Sequence, residues 1–416
     1  MSRIDELIAD HCPEGVAFKT LGDVGEFTRG NGLQKKDLTE SGVGAIHYGQ
    51  VYTHYGIWAA ETKSCVSPEL AKKLRKAKAG DLVIATTSEN DEDVCKAVAW
   101  LGTDDIAVSG DAYIYHHSLE PKYVAYFFQS EQFQSQKIRH ITGTKVKRIS
   151  GESMAKFRIP VPPREVQREI VKVLDTFTKL EAELEAELEA RRRQYQYYRD
   201  ALLTFAERTD ASKQASKQAS KQASIRWATL SKVAMYSNSR IASSTLDANS
   251  YVGVDNLLPE MQGRTRSSYV PTAGSSIGYE TNDILIGNIR PYLKKIWLAE
   301  ATGGTNQDVL VVRLRDESRN DIKPRFLYHL LASEKFFSYN MQYAKGAKMP
   351  RGDKEAILRY EIPVPPLEEQ ARIVSILDKF DTLVNDLSSG LPAELKARRQ
   401  QYEHYRDRLL TFKEAA

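Results

Sequence analysis

The chain repeats itself, and this internal duplication constrains its fold more than any other feature of the sequence. Residues 157–180 (FRIPVPPREVQREIVKVLDTFTKL) return as residues 360–383 (YEIPVPPLEEQARIVSILDKFDTL), displaced by 203 positions. Residues 190–205 (ARRRQYQYYRDALLTF) return as residues 397–412 (ARRQQYEHYRDRLLTF), displaced by 207, so the second copy has gained four residues. Matching of this length predicts two structural repeats rather than a chance similarity of composition.

The segments that precede the two copies also match, more faintly and in the same order. The matching pairs are FKTLGDVGEFTRG (18–30) with WATLSKVAMYSNS (227–239), GDLVIA (80–85) with NDILIG (282–287), EPKYVAYFFQSEQF (120–133) with KPRFLYHLLASEKF (323–336), and GTKVKRIS (143–150) with GAKMPRGD (346–353). Each half is therefore a variable domain followed by a near-identical segment. With 41% apolar residues among 416, the chain can bury more than one core.

The near-identical segments are predicted to be long helices. Pro162 and Pro163, like Pro365 and Pro366, indicate an extended lead-in, because proline cannot continue a helix but is tolerated where one begins. Apolar residues in the first copy then form a stripe on two interleaved spacings of seven. The stripe consists of Phe177, Leu184, Tyr198 and Phe205 together with Leu188, Tyr195 and Leu202.

A four-residue offset interrupts the same pattern in the second copy, where Gly390 and Pro392 are expected to break the helix. A single amphipathic helix of about 40 residues, roughly 60 Å long, cannot bury its own apolar stripe. Antiparallel pairing of the two copies, as an intramolecular coiled coil, would bury both stripes. The alternative is that each stripe packs only on its own variable domain.

The variable halves have the pattern of mixed α/β domains. Four apolar runs predict strands, and two segments have the spacing of amphipathic helices. The predicted strands are DLVIATT (81–87), AVSGDAYIYHH (107–117), DILIGNI (283–289) and QDVLVVRL (307–314). The predicted helical segments are YVAYFFQSEQFQSQKI (123–138) and RFLYHLLASEKFFSYNM (325–341).

Signatures of catalysis are missing from the sequence. It has no GxxxxGK[ST] phosphate loop and no amino-methyltransferase motif, and its eight histidines form no metal-ligand spacing, so we expect no catalytic residue and no metal site. Cys12, Cys65 and Cys95 are odd in number and form no CxxC pair, which favours reduced thiols in the cytoplasm. No apolar stretch is long enough for a membrane span, and the N-terminus does not have the pattern of a signal peptide.

Basic loops recur at matching places in the two halves. The first contains Lys145, Lys147 and Arg148, and the second contains Lys345, Lys348 and Arg351. Each follows a glycine after a predicted helix. Lys and Arg beside backbone N–H groups suit phosphate oxygens, which predicts contacts with a nucleic-acid backbone. The alternative is a solvated surface loop, and the net charge of only +4 argues weakly for a polyanionic partner.

Two further loops combine amide and guanidinium side chains, which can make paired hydrogen bonds to base edges. FTRGNGLQKK (27–36) supplies Arg29, Asn31, Gln34, Lys35 and Lys36. GNIRPYLKK (287–295) supplies Asn288, Arg290, Tyr292, Lys294 and Lys295. These residues are the candidates for direct recognition of bases.

The doubled arrangement resembles the specificity subunit of type I restriction-modification systems. The resemblance rests on the paired IPVPP segments (159–163 and 362–366), the helix starts EVQREIVKVLDTF and EEQARIVSILDKF, and the ends QYQYYRD and QYEHYRD with LLTF. It covers essentially the whole chain. It implies two mixed α/β (α+β) target recognition domains, related by a pseudo-two-fold axis and joined by two long antiparallel coiled-coil helices.

The resemblance also implies a function. Each recognition domain would recognise one half of a split, asymmetric target in double-stranded DNA, and the helices would set the gap and dock two methyltransferase subunits. Restriction and translocase subunits would join the complex, and S-adenosylmethionine, ATP and magnesium would bind these partners rather than this non-catalytic chain. Two alternatives are a structural coiled-coil adaptor that binds no DNA and a chain that is itself a methyltransferase.

The implied division of the chain has five parts. They are residues 1–158 (first target recognition domain), 159–207 (central helical spacer and docking region), 208–224 (repeat linker), 225–361 (second target recognition domain) and 362–416 (distal helical spacer and docking region). The linker contains ASKQASKQASKQAS (211–224), which has no large apolar residue and is expected to be a solvated helix or a flexible tether. In the family that the chain resembles, a short central repeat influences the gap between the two half-sites.

Overall fold

A computed structural model describes residues 3–205, 225–386 and 389–415. The ASKQ repeat, and with it the choice between helix and tether, lies outside the described residues. The chain forms two compact units, of which the first comprises Met1–Glu183 with Lys396–Ala416 and the second comprises Leu184–Leu395. Each unit therefore contains one variable half and helical segments from distant parts of the chain.

The first unit is built from thirteen described strands and a set of short helices that precede one long helix. The strands are β1 Ala17–Thr20, β2 Gly25–Arg29, β3 Val43–Ile46, β4 Trp58–Ala59, β5 Ser64–Val66, β6 Lys76–Ala77, β7 Leu82–Ala85, β8 Thr87–Ser88, β9 Lys96–Trp100, β10 Ile106–Val108, β11 Ala112–His117, β12 Lys147–Arg148 and β13 Arg158–Val161. The helices are α1 Arg3–His11, α2 Leu21–Val24, α3 Tyr48–Thr53, α4 Pro68–Ala71, α5 Pro121–Phe127, α6 Glu131–Ile138, α7 Gly151–Ala155 and the long α8 Arg164–Leu203, whose last twenty residues belong to the second unit.

The second unit repeats this order with fewer strands in the part that the structure describes. Its strands are β14 Arg226–Thr229, β15 Ala234–Tyr236, β16 Arg240–Ala242, β17 Tyr251–Val252, β18 Ser275–Tyr279, β19 Ile284–Gly287, β20 Ile296–Leu298, β21 Gly303–Thr305, β22 Val309–Leu314 and β23 Glu361–Val364. Its helices are α9 Leu230–Val233, α10 Pro324–Leu331, α11 Glu334–Gln342, α12 Lys354–Arg359 and α13 Leu367–Asn385, and α14 Leu391–Leu410 returns the chain to the first unit.

The two units share one sheet topology. The main sheet has the order β2-β11-β7-β9-β4 in the first unit and β15-β22-β19-β20 in the second. A second sheet, β5-β3-β10-β6 or β16-β18-β21-β17, contains one parallel pair in each unit, β3 with β10 and β17 with β21. The extended lead-ins β13 and β23 pair antiparallel with β1 and β14. The duplication seen in the sequence is therefore a duplication of structure.

The central strands are buried on both faces, as their apolar runs predict. In β7, Leu82 and Ile84 face one apolar core while Val83 and Ala85 face another. In β19, Ile284 and Ile286 likewise face one apolar core while Leu285 faces another. This alternation follows from the two-residue period of a strand. The strands β7, β11, β19 and β22 of the predicted segments 81–87, 107–117, 283–289 and 307–314 lie inside the main sheets, but segment 107–117 also contains part of β10, which belongs to the second sheet.

Each predicted helical segment of the variable halves is divided into two helices. Ser130 separates α5 from α6, and its hydroxyl accepts a hydrogen bond from the Phe133 N–H. Ser333 separates α10 from α11, where its hydroxyl accepts a bond from the Phe336 N–H. Serine is a strong N-cap, so the chain restarts a helix at this position in both units.

The helices α8, α13 and α14 confirm the long-helix prediction, with one difference between the copies. The first copy is a single helix of 40 residues, whereas the second stops at Asn385 and restarts at Leu391. Gly390 lies in this break, but Pro392 lies in the first turn of α14 and so begins a helix instead of ending one. In the first unit, Phe177 stacks on Tyr405 with ring centroids 5.3 Å apart, in an antiparallel pairing of α8 with α14.

The apolar stripes also pack on the variable domains, but not only on their own, so the alternative in which each stripe packs only on its own variable domain is wrong. Leu188 and Tyr195 of α8 belong to the core of the second unit, and Tyr195 also stacks on Phe380 of α13 with centroids 6.0 Å apart. Tyr402 and Leu409 of α14 belong to the core of the first unit. The helices are therefore structural parts of both domains.

Candidate nucleic-acid interface

The basic loops form the same hairpin in both units. Thr142 and Arg148 form an antiparallel bridge in the first, and Lys345 and Arg351 form the corresponding bridge in the second. Gly143 starts the turn at φ +92°, where a Cβ atom would collide with the carbonyl oxygen of Val146. Gly346 has the same role at φ +102°. Glycine is the residue that adopts this conformation without strain, which explains its position before each basic cluster.

Each hairpin is joined to the loop that follows the central strand of the main sheet. In the first unit, Lys147 and Arg148 pair with Ser88 and Thr87 just beyond β7. In the second unit, Ile289 forms a bridge with Arg351 just beyond β19. The structure thus brings the predicted phosphate loop 345–351 together with the predicted base-recognition loop 287–295. These segments are about 60 residues apart in the sequence.

The predicted residue Arg29 lies close to the first basic hairpin. Its Nε donates to the Gly110 carbonyl at 2.7 Å, and its Nη2 lies 3.8 Å from Asp111 Oδ1. Thr87, which pairs with Arg148, also donates to Asp111 Oδ1 at 3.4 Å. Arg29 and the first hairpin therefore meet around one aspartate.

Several predicted residues are already engaged within the protein. Asn31 Nδ2 donates to the Lys73 carbonyl at 3.1 Å, and its Oδ1 accepts the Arg75 N–H at 2.7 Å, so its amide holds two loops together. The Lys295 ammonium donates to the Val254 carbonyl at 2.7 Å. These bonds use the groups that would otherwise be offered to a base or a phosphate.

Carboxylates neutralise four more of the predicted basic side chains. Lys147 lies 3.1 Å from Asp91, Lys345 lies 2.6 Å from Asp353, Arg351 lies 3.1 Å from Asp308, and Lys294 lies 3.1 Å from Glu260 and 2.6 Å from Glu334. The hydrogen bond from Lys345, supported by the N–H groups of α12, lowers the pKa of Asp353 to about 2. These carboxylates fix the basic side chains in place along the edge.

Six predicted basic side chains have no hydrogen-bond or ion-pair partner among residues 3–205, 225–386 and 389–415. They are Lys35, Lys36, Lys145 and Arg148 in the first unit, and Arg290 and Lys348 in the second. All six are exposed. Gln34 is exposed beside Lys35, and Tyr292 is 47% exposed beside Arg290. These side chains are free to bind a ligand.

Asn288 has a different environment from its neighbours, because it is buried. It is 6% exposed, and its Oδ1 has no partner within the described part of the chain. Asn340 of α11 is 1% exposed, and neither of its amide atoms is paired with another described residue. Both amide oxygens face Gly352, where a Cβ atom would lie 2.5 Å from Asn340 and 2.8 Å from Asn288. Sequence reasoning missed Asn340; its signal was the 203-residue displacement, which aligns it with Lys137.

Lys137 is the buried counterpart of Asn340 in the first unit. It is 0% exposed, and its ammonium donates to the carbonyls of Glu92 and Val94 at 2.8 and 3.1 Å. Burial lowers its pKa. The bonds hold the acidic loop beyond β7, which contains SENDED (88–93) where the second unit has RPYLKK (290–295). The loop that follows the central strand is therefore acidic in the first unit and basic in the second.

Metal-binding clusters and membrane-spanning helices are absent from the described residues. No group of three or more His, Cys, Asp or Glu side chains in this part of the chain could hold a metal ion. None of its helices is long and apolar enough to cross a membrane. Cys12, Cys65 and Cys95 are free thiols.

Comparison with known proteins identifies the family. Residues 13–190 and 267–397 match the type I restriction modification DNA specificity domain, which is well over half of the chain. The chain belongs to this family. The specificity subunit of the EcoR124I/EcoR124II type I restriction enzyme of Escherichia coli is 30% identical over 285 residues, covering 64% of this chain. The match spans 65% of that relative, less than two thirds of its length.

Further relatives agree with this assignment. A putative type I restriction enzyme specificity subunit of Haemophilus influenzae is 29% identical over 287 residues, covering 66% of this chain and 69% of the relative. The crystal structure of a type I restriction-modification S subunit from M. genitalium has a TM-score of 0.52 at 13% identity, covering 95% and 96% of the two chains. A chain from a structural study of type I R-M complex assembly has a TM-score of 0.56 at 16% identity, covering 96% of this chain and 98% of that chain. These two likenesses show the fold, which confirms the predicted architecture.

Proposed function

We propose that this chain is the DNA-specificity subunit of a type I restriction-modification complex. Each variable half contacts one part of a split, asymmetric target in double-stranded DNA. The observation that carries the proposal is found at the equivalent place in each unit. There the same basic hairpin meets a loop whose sequence and charge differ between the units. Equal hairpins suit the uniform phosphate backbone, and unequal loops suit two different base sequences.

The domain division follows from this proposal. Residues 1–158 and 225–361 are the two target recognition domains, and residues 159–207 and 362–416 are the helical spacers and docking regions. The helices dock two methyltransferase subunits, with which restriction and translocase subunits assemble. S-adenosylmethionine, ATP and magnesium bind these cytoplasmic partners, and this chain catalyses no step itself. The ASKQ repeat (211–224) influences the gap between the half-sites.

The predicted DNA-binding residues differ in their expected roles. Lys145, Lys147 and Arg148, with Lys345, Lys348 and Arg351, contact phosphates through the hairpins. The loops 27–36 and 287–295 lie closer to the bases. Residues that are engaged within the protein, such as Asn31 and Lys295, act by fixing the shape of these loops.

Co-expression followed by methylome sequencing tests the proposal. The chain is expressed with the methyltransferase gene that neighbours it, with that gene alone as the control. We expect methylation at one bipartite motif only when both proteins are present. Methylation that does not depend on this chain, or complex formation without DNA binding, would support a structural adaptor instead. Methylation by the purified chain alone would make it a methyltransferase.

A further inference from the structure

Arg290 has an unusual backbone conformation for a residue with a side chain. It adopts φ 52° and ψ 64°, in the left-handed region. Residues other than glycine, asparagine and aspartate rarely occupy this region, and such conformations cluster at functional sites. Pro291 follows and fixes its own φ, and the Arg290 N–H donates to the Pro350 carbonyl at 2.7 Å. The chain therefore holds Arg290 firmly against the basic hairpin.

The side chain of Arg290 is available, unlike most of the cations around it. Lys294, Lys345 and Arg351 are paired with carboxylates, and Lys295 is bonded to a carbonyl group. Arg290 is exposed and, among the described residues, has no side-chain partner. Among the described cations of the predicted set in the second unit, Lys348, at the turn of the hairpin, shares this property. An anchored backbone with a free guanidinium is what a specific contact requires.

The chemistry of the two free side chains separates their roles. A guanidinium presents two parallel N–H donors in a plane, which match the O6 and N7 acceptors of guanine in the major groove. An ammonium is a compact charge on a flexible stem, and it binds a phosphate without regard to the base. Tyr292, 47% exposed two residues further on, gives the loop an apolar surface beside the guanidinium.

We propose that Arg290 is a specificity-determining residue of the second unit and that it recognises a guanine in the major groove. This inference rests on the proposed function, since it needs a DNA target. Arg290 fixes one base pair of the second half-site, and Lys348 contributes affinity without sequence preference. The left-handed backbone aims the side chain, so the loop conformation is part of the recognition.

Arg290→Gly is the variant that tests the proposal, because glycine keeps the left-handed backbone while removing the guanidinium. It is expressed with its methyltransferase, beside wild type, Arg290→Lys and Lys348→Ala, and the methylomes are sequenced. We expect Arg290→Gly to lose the preference for guanine at one position of the second half-site by about tenfold or more. Arg290→Lys should discriminate less well than wild type. Lys348→Ala should lower the methylation rate and leave the motif unchanged.

Several results would overturn the inference while leaving the proposed function intact. One is an unchanged motif in the Arg290→Gly complex. Another is relaxation of the first half-site instead of the second, and a third is a lost preference for a base pair other than G·C. A thermal melt of each complex identifies a folding defect, and a misfolded Arg290→Gly is replaced by Arg290→Asn, which also tolerates this conformation. If wild type itself gives no bipartite motif, the proposed function fails instead.

Discussion

The two units place an aspartate immediately before the same strand but bind it with different partners. Asp81 precedes β7 and is bound by His116, with Nδ1 and Oδ1 2.6 Å apart. Asp283 precedes β19 and is bound by Arg313, whose Nη2 lies 2.6 Å from Oδ2. Both carboxylates also accept an N–H from their own turn. The acceptor is kept because it shapes the turn, and the donor is free to differ.

The same contrast occurs beside the basic hairpins. Asp111 precedes β11 and lies 3.8 Å from Arg29 at the end of β2. Asp308 precedes β22 and lies 3.1 Å from Arg351 of the basic hairpin. Arg148 has no side-chain partner among the described residues, whereas its counterpart Arg351 is paired with Asp308. Equal backbones thus leave different cations free.

A third pair lies where the long helices meet the variable domains. Asp175 of α8 accepts hydrogen bonds from Lys122 and Tyr126 at 2.7 and 2.8 Å. Asp378 of α13 is bound by Arg325 and His329, each at 2.8 Å. Taken together, the three pairs show that the duplicated structure keeps its acceptors and exchanges its donors. A variable half can therefore change its surface charge without changing its fold.

The largest effect is expected from exchanging a whole variable half. Replacing residues 1–158 with the same region of a relative should change one part of the methylated motif and leave the other part intact. The reason is that each half lies between equivalent structural segments. Methylome sequencing of the chimaera, with the reciprocal exchange of residues 225–361 as the control, measures this. A change in both parts would mean that the two halves do not act independently.

A smaller effect is expected from the first basic hairpin. Changing Lys145, Lys147 and Arg148 to Ala should weaken DNA binding and reduce the log–log salt slope by about 0.9 for each lost phosphate contact. Lys147 should contribute least, because Asp91 already neutralises it at 3.1 Å. Binding titrations at several salt concentrations test this, with Lys147→Ala alone as the matched control. An altered target motif would show that the hairpin contacts bases.

The smallest effect concerns pH and compares His117 with Leu314, which ends the equivalent strand. Burial, together with the neighbouring charge of His116, lowers the pKa of His117 to about 4. The unfolded side chain titrates near pH 6.5, so the unfolded state binds the proton more readily, and stability is lost as the pH falls from about 6.5 towards 4. His117→Leu should remove at most about 3 kcal/mol of this dependence.

Urea titrations at pH 7 and pH 5 would measure the difference between wild type and His117→Leu. In His117→Leu the free energy of unfolding should depend less on pH than in wild type. Some dependence should remain, because burial also lowers the pKa of His329 in the second unit. His329→Leu provides the matched comparison. Equal pH dependence in wild type and His117→Leu would show that His117 is not buried in the folded protein.

The sequence predicts the long helices of this molecule better than the loops of the candidate nucleic-acid interface. Leu188 and Tyr195 are buried where the spacing of seven places them, because that spacing keeps the apolar residues of a long helix on one face. The bonds of Asn31 to residues 73–75 could not be predicted, because they join segments over 40 residues apart. Nor could the left-handed backbone of Arg290, since arginine has no intrinsic preference for it. Local sequence patterns determine the helices and strands, whereas the conformation of these loops depends on contacts between distant segments.

A buried glutamine joins each long helix to its domain. Gln167 Oε1 accepts the backbone N–H of Glu120 at 2.9 Å, and its Nε2 donates to the Pro162 carbonyl at 2.7 Å. Gln370 does the same for Lys323, at 2.8 Å.

Glu120 and Lys323 carry opposite charges, yet the bond is the same, because it uses the main chain. Any residue except proline can supply that N–H. If one variable half is exchanged for another, this makes the junction tolerant of what is inserted. A new domain needs a free amide at one position and no particular side chain there, so it can be joined without a matching change in the helices.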